Sequence, residues 1–246
     1  MQDLLESLND KQKEAVLATD GPCLVIAGAG SGKTKVLTHK IAYLMAEKYV
    51  KPWNILAITF TNKAANEMKE RVKNLVGDAA NDMWIGTFHS ICVKILRKYI
   101  DRIGFDHSFL IFDTSDQKTL IKECLKDLKV DDKLFTDRAV LSEISNGKNE
   151  MLEPKDYKIK YAGDFRRETI GNIYELYQQR LKENNALDFD DIINYTIKIL
   201  TENPDVLEYY TEKFKYVLVD EYQDTNKAQF MLVSILASKY GNITVV

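Results

Sequence analysis

Apolar and polar positions along the chain fall into two alternating periods. Residues 9–18 read as a short helix, with Asn9 as its cap, Gln12 three residues later, and Ala15 and Val16 facing inward. Residues 22–27 then form a continuous apolar run bounded by Gly21 and Gly28, which predicts a buried strand in the middle of a parallel sheet. Residues 28–32 read as a turn. A helix over 33–47 follows, with Val36, Leu37, Ile41 and Leu44 on its apolar side and Lys40 facing out. The pattern repeats as strand 55–59, amphipathic helix 63–75, strand 84–87 and helix 88–99. Strands alternating with helices predict an α/β fold with a mostly parallel sheet.

The middle third changes character. Residues 116–128, 137–145 and 168–183 read as helices, with no strong strand between Phe112 and Asp188. Asn146, Gly147 and Pro154 read as breaks between helical pieces. Strand logic returns with helix 189–200, strand 216–220 ending in acids, helix 227–238 and strand 243–246. The expected organisation is therefore an α/β domain in two parts, 1–112 and 188–246, interrupted by a helical domain over 113–187. A sheet strand normally runs on into a loop, so a strand at 243–246 suggests a piece of a longer protein.

Composition narrows the class. The chain has 246 residues, of which 45% are apolar and 29% charged, a balance that forms a core. No apolar stretch is long enough to span a membrane, and the first residues lack a secretory signal. Cys23, Cys92 and Cys124 are distant and odd in number, which fits neither a disulfide framework nor a zinc site and suggests a reducing compartment, the cytoplasm. Net charge is −3 but unevenly spread: residues 1–112 carry 15 Lys/Arg against 12 Asp/Glu, and residues 188–246 carry 5 against 10. A polyanion would favour the first third.

Chemistry concentrates at two places. Ala27-Gly28-Ala29-Gly30-Ser31-Gly32-Lys33-Thr34 matches a phosphate-binding loop, with Ala27 where the generic pattern has its first glycine. Its glycines let backbone N–H groups turn toward a phosphate at a helix N-terminus. Lys33 offers a charge to the β and γ phosphates, and Thr34 a hydroxyl to magnesium. Asp220 and Glu221 end the strand at 216–220. Asp220 can hold the same magnesium, and Glu221 can orient and deprotonate an attacking water.

Six ordered segments resemble the N-terminal part of UvrD/Rep/PcrA-type superfamily 1 DNA helicases. Residues 8–15, with Gln12, resemble the motif whose glutamine recognises adenine; a carboxamide can donate and accept at that edge. The phosphate loop follows. Residues 57–65, with Phe60, Thr61 and Asn62, and residues 86–90, with Thr87 and His89, resemble DNA-side motifs. Residues 187–191 resemble the point of re-entry from the helical domain. Residues 219–226 resemble the extended Asp-Glu-x-Gln-Asp motif, in which Gln223 relays between nucleotide and DNA states.

The resemblance implies a RecA-like motor domain with a helical insertion, stopping before the family's third motif. It implies ATP and Mg2+ as cofactors, single-stranded DNA and its junction with duplex as partners, and a second motor domain of the same parent. The parent would be a 3′–5′ DNA helicase of repair or replication, or the helicase part of a helicase–nuclease; alone, this piece would be a weak nucleotide- and DNA-binding module without turnover. Lys35 stands where many relatives have an arginine that stacks on adenine, and lysine lacks that planar face. Phe60 has two readings, base stacking or core packing. His89 also has two, a phosphate contact or a helix cap.

Overall fold

A computed structural model describes residues 2–28 and 30–246, apart from the side chains of Gln2 and Asp3. In chain order the elements are α1 (Gln2–Glu6), α2 (Asp10–Leu17), β1 (Cys23–Leu24), α3 (Lys33–Ala46), β2 (Ile55–Thr59), α4 (Asn62–Val76), β3 (Trp84–Thr87), α5 (Phe88–Tyr99) and β4 (Leu110–Ile111). They continue as α6 (Thr114–Asp127), α7 (Asp137–Asn149), α8 (Pro154–Lys160), α9 (Phe165–Glu183), β5 (Ala186–Leu187), α10 (Phe189–Glu202), α11 (Pro204–Lys213), β6 (Tyr216–Val219), α12 (Lys227–Ala237) and β7 (Ile243–Val245). The fold is mixed α/β, as the alternation predicts. No helix among the described residues is long and apolar enough to cross a membrane.

The chain divides into two compact units. The first runs to Ile91 and takes in Leu200–Thr225 and Phe230–Val246; the second is Cys92–Ile199 with Asn226–Gln229. In the first unit a sheet of five parallel strands has the order β1-β7-β6-β2-β3. The registers are strict: Thr59 lies opposite Thr87, and Ile58 opposite Val219. Leu37, Ile41 and Leu44 of α3 and Met68 and Val72 of α4 pack with Ile55, Ala57 and Leu218 of the sheet. Strand alternation turns Leu56 and Ile58 to the opposite face, where they are equally buried. Every residue of β2 is buried, as a central strand requires.

Two expectations for this unit are corrected. The run 22–27 is not a buried central strand. Its strand is only Cys23–Leu24, paired on one side with β7, and Leu24 and Ile26 are 64% and 88% exposed. An apolar run stays buried only where both flanks are covered, and β1 has no second neighbour among the described residues. Lys40, expected to face out, is buried and donates from Nζ to Thr244 Oγ1 at 2.7 Å. The reason is that Lys40 lies on the side of α3 that meets the sheet at β7, the strand that carries Thr244, with Cys23 of β1 close by. Burial pushes the Lys40 pKa down.

The second unit is helical, with a core from α6, α7, α8 and α9 that includes Leu120, Ile121, Val140, Ile144, Tyr157, Ile173 and Tyr177. Here two further expectations are corrected, while the break at Pro154 holds. Gly147 does not end its helix; α7 runs through to Asn149. A Cβ on Gly147 would sit 3.0 Å from the Tyr157 ring, so the residue serves the close approach of that side chain. Pro154 opens α8 at its first position, where its missing N–H costs nothing, and Pro204 opens α11 in the same way. A strand does exist between 112 and 188: Ala186–Leu187 pairs in parallel with Leu110–Ile111.

Candidate nucleotide and nucleic-acid site

The phosphate loop leads from β1 into α3. Gly30 and Gly32 have φ of +75° and +87°. At Gly32 the space is closed as well, since an added Cβ would lie 2.8 Å from Gln12 Nε2. That contact belongs to a short chain of bonds. Asn9 and Gln12 form a reciprocal capping box at the start of α2, and Gln12 Nε2 then donates to the Ser31 carbonyl at 3.0 Å. Gln12 thus braces the loop from outside. Ala27 and Gly28 are exposed, and Ala29 lies outside the described residues. The Lys35 ammonium donates to the Ser7 carbonyl, between α1 and α2.

Two of the predicted pairs meet across the sheet edge. Thr34 Oγ1 donates to Asp220 Oδ2 at 3.0 Å, and Lys33 Nζ lies 3.3 Å from Glu221 Oε2. Gln223 Nε2 also donates to Glu221 Oε2. Glu221 holds a left-handed φ of +51°, which a non-glycine residue adopts only where its surroundings impose it. The two acids differ in environment. Asp220 is 4% exposed, and burial pushes its pKa up, with the Thr34 hydroxyl acting against that. Glu221 is more open, and the Gln223 bond, aided by Lys33, pulls its pKa down. One carboxylate is thus shielded beside a hydroxyl, and the other is kept ionised beside an ammonium.

The candidate nucleic-acid residues stand at the other end of the same edge. Because β2 and β3 run parallel in register, the residues after Thr59 and after Thr87 emerge side by side. Phe60 is half-buried, with its ring edge-on to the buried Phe88 at 5.4 Å between centroids. It therefore has an inner contact and an open flank. Thr61 caps α4 by accepting from Ala64 N at 3.1 Å, and Thr87 is buried and accepts from Ser90 N at 3.2 Å. Asn62 is exposed, and His89 is half-buried. No group of three or more His, Cys, Asp or Glu that could hold a metal occurs among the described residues. The hard oxygens of Thr34 and Asp220 suit magnesium.

Comparison with known proteins decides the family. The sequence model of the UvrD/REP helicase N-terminal domain matches residues 8–246. The chain belongs to the UvrD/REP helicase family. It is 57% identical over 243 residues to the ATP-dependent DNA helicase PcrA of Bacillus subtilis, covering 99% of this chain and 33% of that protein. It is 55% identical to the PcrA of Staphylococcus aureus strain Mu50 and 54% to that of Staphylococcus epidermidis, each over 246 residues, all of this chain and 34% of the relative. The chain therefore spans about a third of the length of the curated relatives it matches. As a UvrD/REP helicase N-terminal domain it carries a parallel-sheet core with a large helical part, as the motifs imply.

One contact had no sequence signal. Asn226, at the end of the motif that carries the acids, donates from Nδ2 to Asn149 Oδ1 at 2.6 Å. The two lie 77 residues apart, and nothing in either local pattern marks a partner.

Proposed function

We propose that this chain is the nucleotide- and single-strand-binding part of an ATP-dependent 3′–5′ DNA helicase that acts in repair or replication in the cytoplasm. The observation that carries the reading is the convergence of Lys33, Thr34, Asp220 and Glu221 on one edge of the sheet. Lys33 would bind the β and γ phosphates of ATP. The oxygens of Thr34 and Asp220 would hold Mg2+, which supplies neutralising charge when bound. Glu221, ionised and close to Lys33, would orient the attacking water and accept its proton. Gln223 holds the same Glu221 oxygen that Lys33 approaches. Gln12 would meet the adenine edge by exchanging its bonds to Asn9 and Ser31 for the base, and Lys35 would add charge beside it. The backbone of residues 27–32, Ala29 included, would line the phosphates.

Phe60 would stack on a base, with Asn62, Thr61, Thr87 and His89 along the strand backbone and toward the junction with duplex. A second motor domain of the same protein completes the site in this reading. Residues 113–187 would be the inserted domain, with 1–112 and 188–246 as the motor; the compact helical unit is somewhat wider than that span. The test is steady-state ATP hydrolysis by the full-length protein, with and without single-stranded DNA. Stimulation by DNA that disappears in Lys33→Ala is expected. Hydrolysis indifferent to both DNA and Lys33 would sink the reading.

A further inference from the structure

The chain leaves the first compact unit between Thr225 and Asn226 and returns to it after Gln229. These few residues follow the turn that carries Glu221 and Gln223. Asn226 uses both ends of its side chain there. Its Oδ1 accepts from Gln229 N at 2.9 Å while Gln229 Oε1 accepts from Asn226 N at 3.0 Å, a capping box that starts α12. Its Nδ2 is then free to donate to Asn149 Oδ1. Lys227 adds a weaker bond, at 3.4 Å, to the Glu150 carbonyl.

The receiving end is tied down by several bonds. Asn149 closes α7, and Lys148 just before it is fully buried. Lys148 Nζ lies 2.6 Å from Asp188 Oδ2 and 2.7 Å from Asp191 Oδ1, at the head of α10. Asn194 Nδ2 holds the Lys148 carbonyl at 2.9 Å. The end of α7 is thus fastened to α10 by an ion pair shielded from water and by a partly buried side-chain bond to its backbone. The other end of the Asn149 side chain donates from Nδ2 to Ser145 Oγ at a long 3.4 Å. Its carboxamide oxygen is left to receive Asn226.

We propose that Asn149 is a positioning residue for hydrolysis: by holding Asn226 it fixes the end of the 220–225 turn, and so the placement of the Glu221 carboxylate. This rests on the reading of Glu221 as the acid that orients water. The turn needs such an anchor because its geometry is costly, with Glu221 in the left-handed region. Apart from Tyr222 N to the Val246 carbonyl, the bonds that hold the turn are local to it: Glu221 N to Asp220 Oδ1, Asp224 N to the Glu221 carbonyl, Thr225 N and Oγ1 to the Tyr222 carbonyl, and Gln223 Nε2 to Glu221 Oε2. A small displacement of a catalytic group costs rate far more than binding.

The experiment compares Asn149→Ala and Asn149→Asp in the full-length protein. Alanine removes the acceptor, while aspartate keeps an oxygen for Asn226 Nδ2. Two readouts are taken: ATP hydrolysis at saturating single-stranded DNA, and amide hydrogen exchange over residues 222–226. Asn149→Ala is expected to lower kcat about ten-fold with the KM for ATP little changed. It is expected to speed exchange at 222–226 while the β6 amides stay protected. Asn149→Asp is expected to restore both. Unchanged kcat in Asn149→Ala, unchanged exchange, or equal loss in both variants overturns the proposal. A wild-type protein without DNA-stimulated hydrolysis, but with the same exchange response to Asn149→Ala, overturns the functional reading and the positioning role with it.

Discussion

At the scale of single residues, the proposed function separates a group that would bind from a group that would react. In the proposed reading Lys33 would face the phosphates in every state of the nucleotide, so Lys33→Ala should weaken ATP binding and turnover together. Glu221→Gln should behave differently. Glutamine fills the same volume but cannot take a proton from water. It also releases Lys33 from a carboxylate 3.3 Å away, so phosphate affinity should hold or rise. Nucleotide affinity measured by titration, beside single-turnover hydrolysis, checks this. The expected result is retained binding with hydrolysis lost in Glu221→Gln; equal affinity loss in the two variants would show that the acid is misassigned. The motif of residues 27–34 was legible from sequence because glycines, lysine and threonine stand at fixed spacing between a strand and a helix. The bracing of that loop by Gln12 was only half legible. A capping glutamine is a local signal, but its second bond, to Ser31, spans 19 residues. Thr61 and Thr87 show the reverse case: short polar residues at strand ends serve first as helix caps.

At the scale of elements, the segment at residues 187–191 gains a physical role. Asp188 and Asp191 cap α10 reciprocally and share the buried Lys148, while the Tyr177 hydroxyl donates to Asp188 at 3.0 Å. The three charges tie α7, α9 and α10 together. Burial opposes the Asp188 charge, but Lys148 outweighs it and holds its pKa below the usual range; burial and the neighbouring Asp188 push Asp191 up. Above the folded pKa of Asp191, about 7, both buried carboxylates are charged, and there Lys148→Met should cost roughly 3–5 kcal/mol because they lose their counter-ion, which denaturant unfolding reads directly. Asp191→Asn tests the sign of the other shift. With its pKa raised in the folded state, Asp191 keeps a proton that the unfolded chain has already lost. Its contribution to stability is therefore greatest below the ordinary carboxylate range and fades as pH rises through its folded pKa. Asparagine removes that dependence but keeps the oxygen that faces Lys148. The variant should gain on the wild type as pH rises, and parallel stability curves would rule the shift out. None of this was legible from the pattern, since α7 and α10 meet through residues about 40 positions apart. Local periodicity did find β2, β3 and α5 to the residue. It failed where packing partners decide the outcome: at β1, whose apolar run lacks a second flank, at Lys40, and at Gly147.

At the scale of the whole molecule, the sheet sorts the two proposed ligands along one edge. All five strands are parallel, so their C-terminal ends share that edge, where open α/β sheets bind ligands. The phosphate loop leaves β1 at one margin, and Phe60 and Thr87 leave β2 and β3 at the other. β7 and β6 stand between, and β6 delivers Asp220. Three inter-strand spacings separate β1 from β2, roughly 14 Å at about 4.8 Å each. The proposed nucleotide and strand tracks would therefore be distinct, with the acids between them. Phe60→Ala in the full-length protein should weaken single-strand binding by roughly 1–3 kcal/mol with little dependence on base sequence. Affinity for ATP measured without DNA should stay the same. The half-buried ring also contacts Phe88, so some stability is lost with it. That loss should fall short of the roughly 3–5 kcal/mol that a fully buried phenylalanine would cost. Phe60→Leu separates the two contributions, because leucine keeps the apolar contact with Phe88 but offers no ring to a base. Its stability should return toward the wild type while its DNA affinity stays low. Asn62→Ala should weaken DNA binding less than Phe60→Ala, since it removes one polar contact from an exposed position. Thermal unfolding, DNA titration and ATP titration on the same variants check all of these together. A stable Phe60→Leu protein that binds single strands as the wild type does would remove Phe60 from the track.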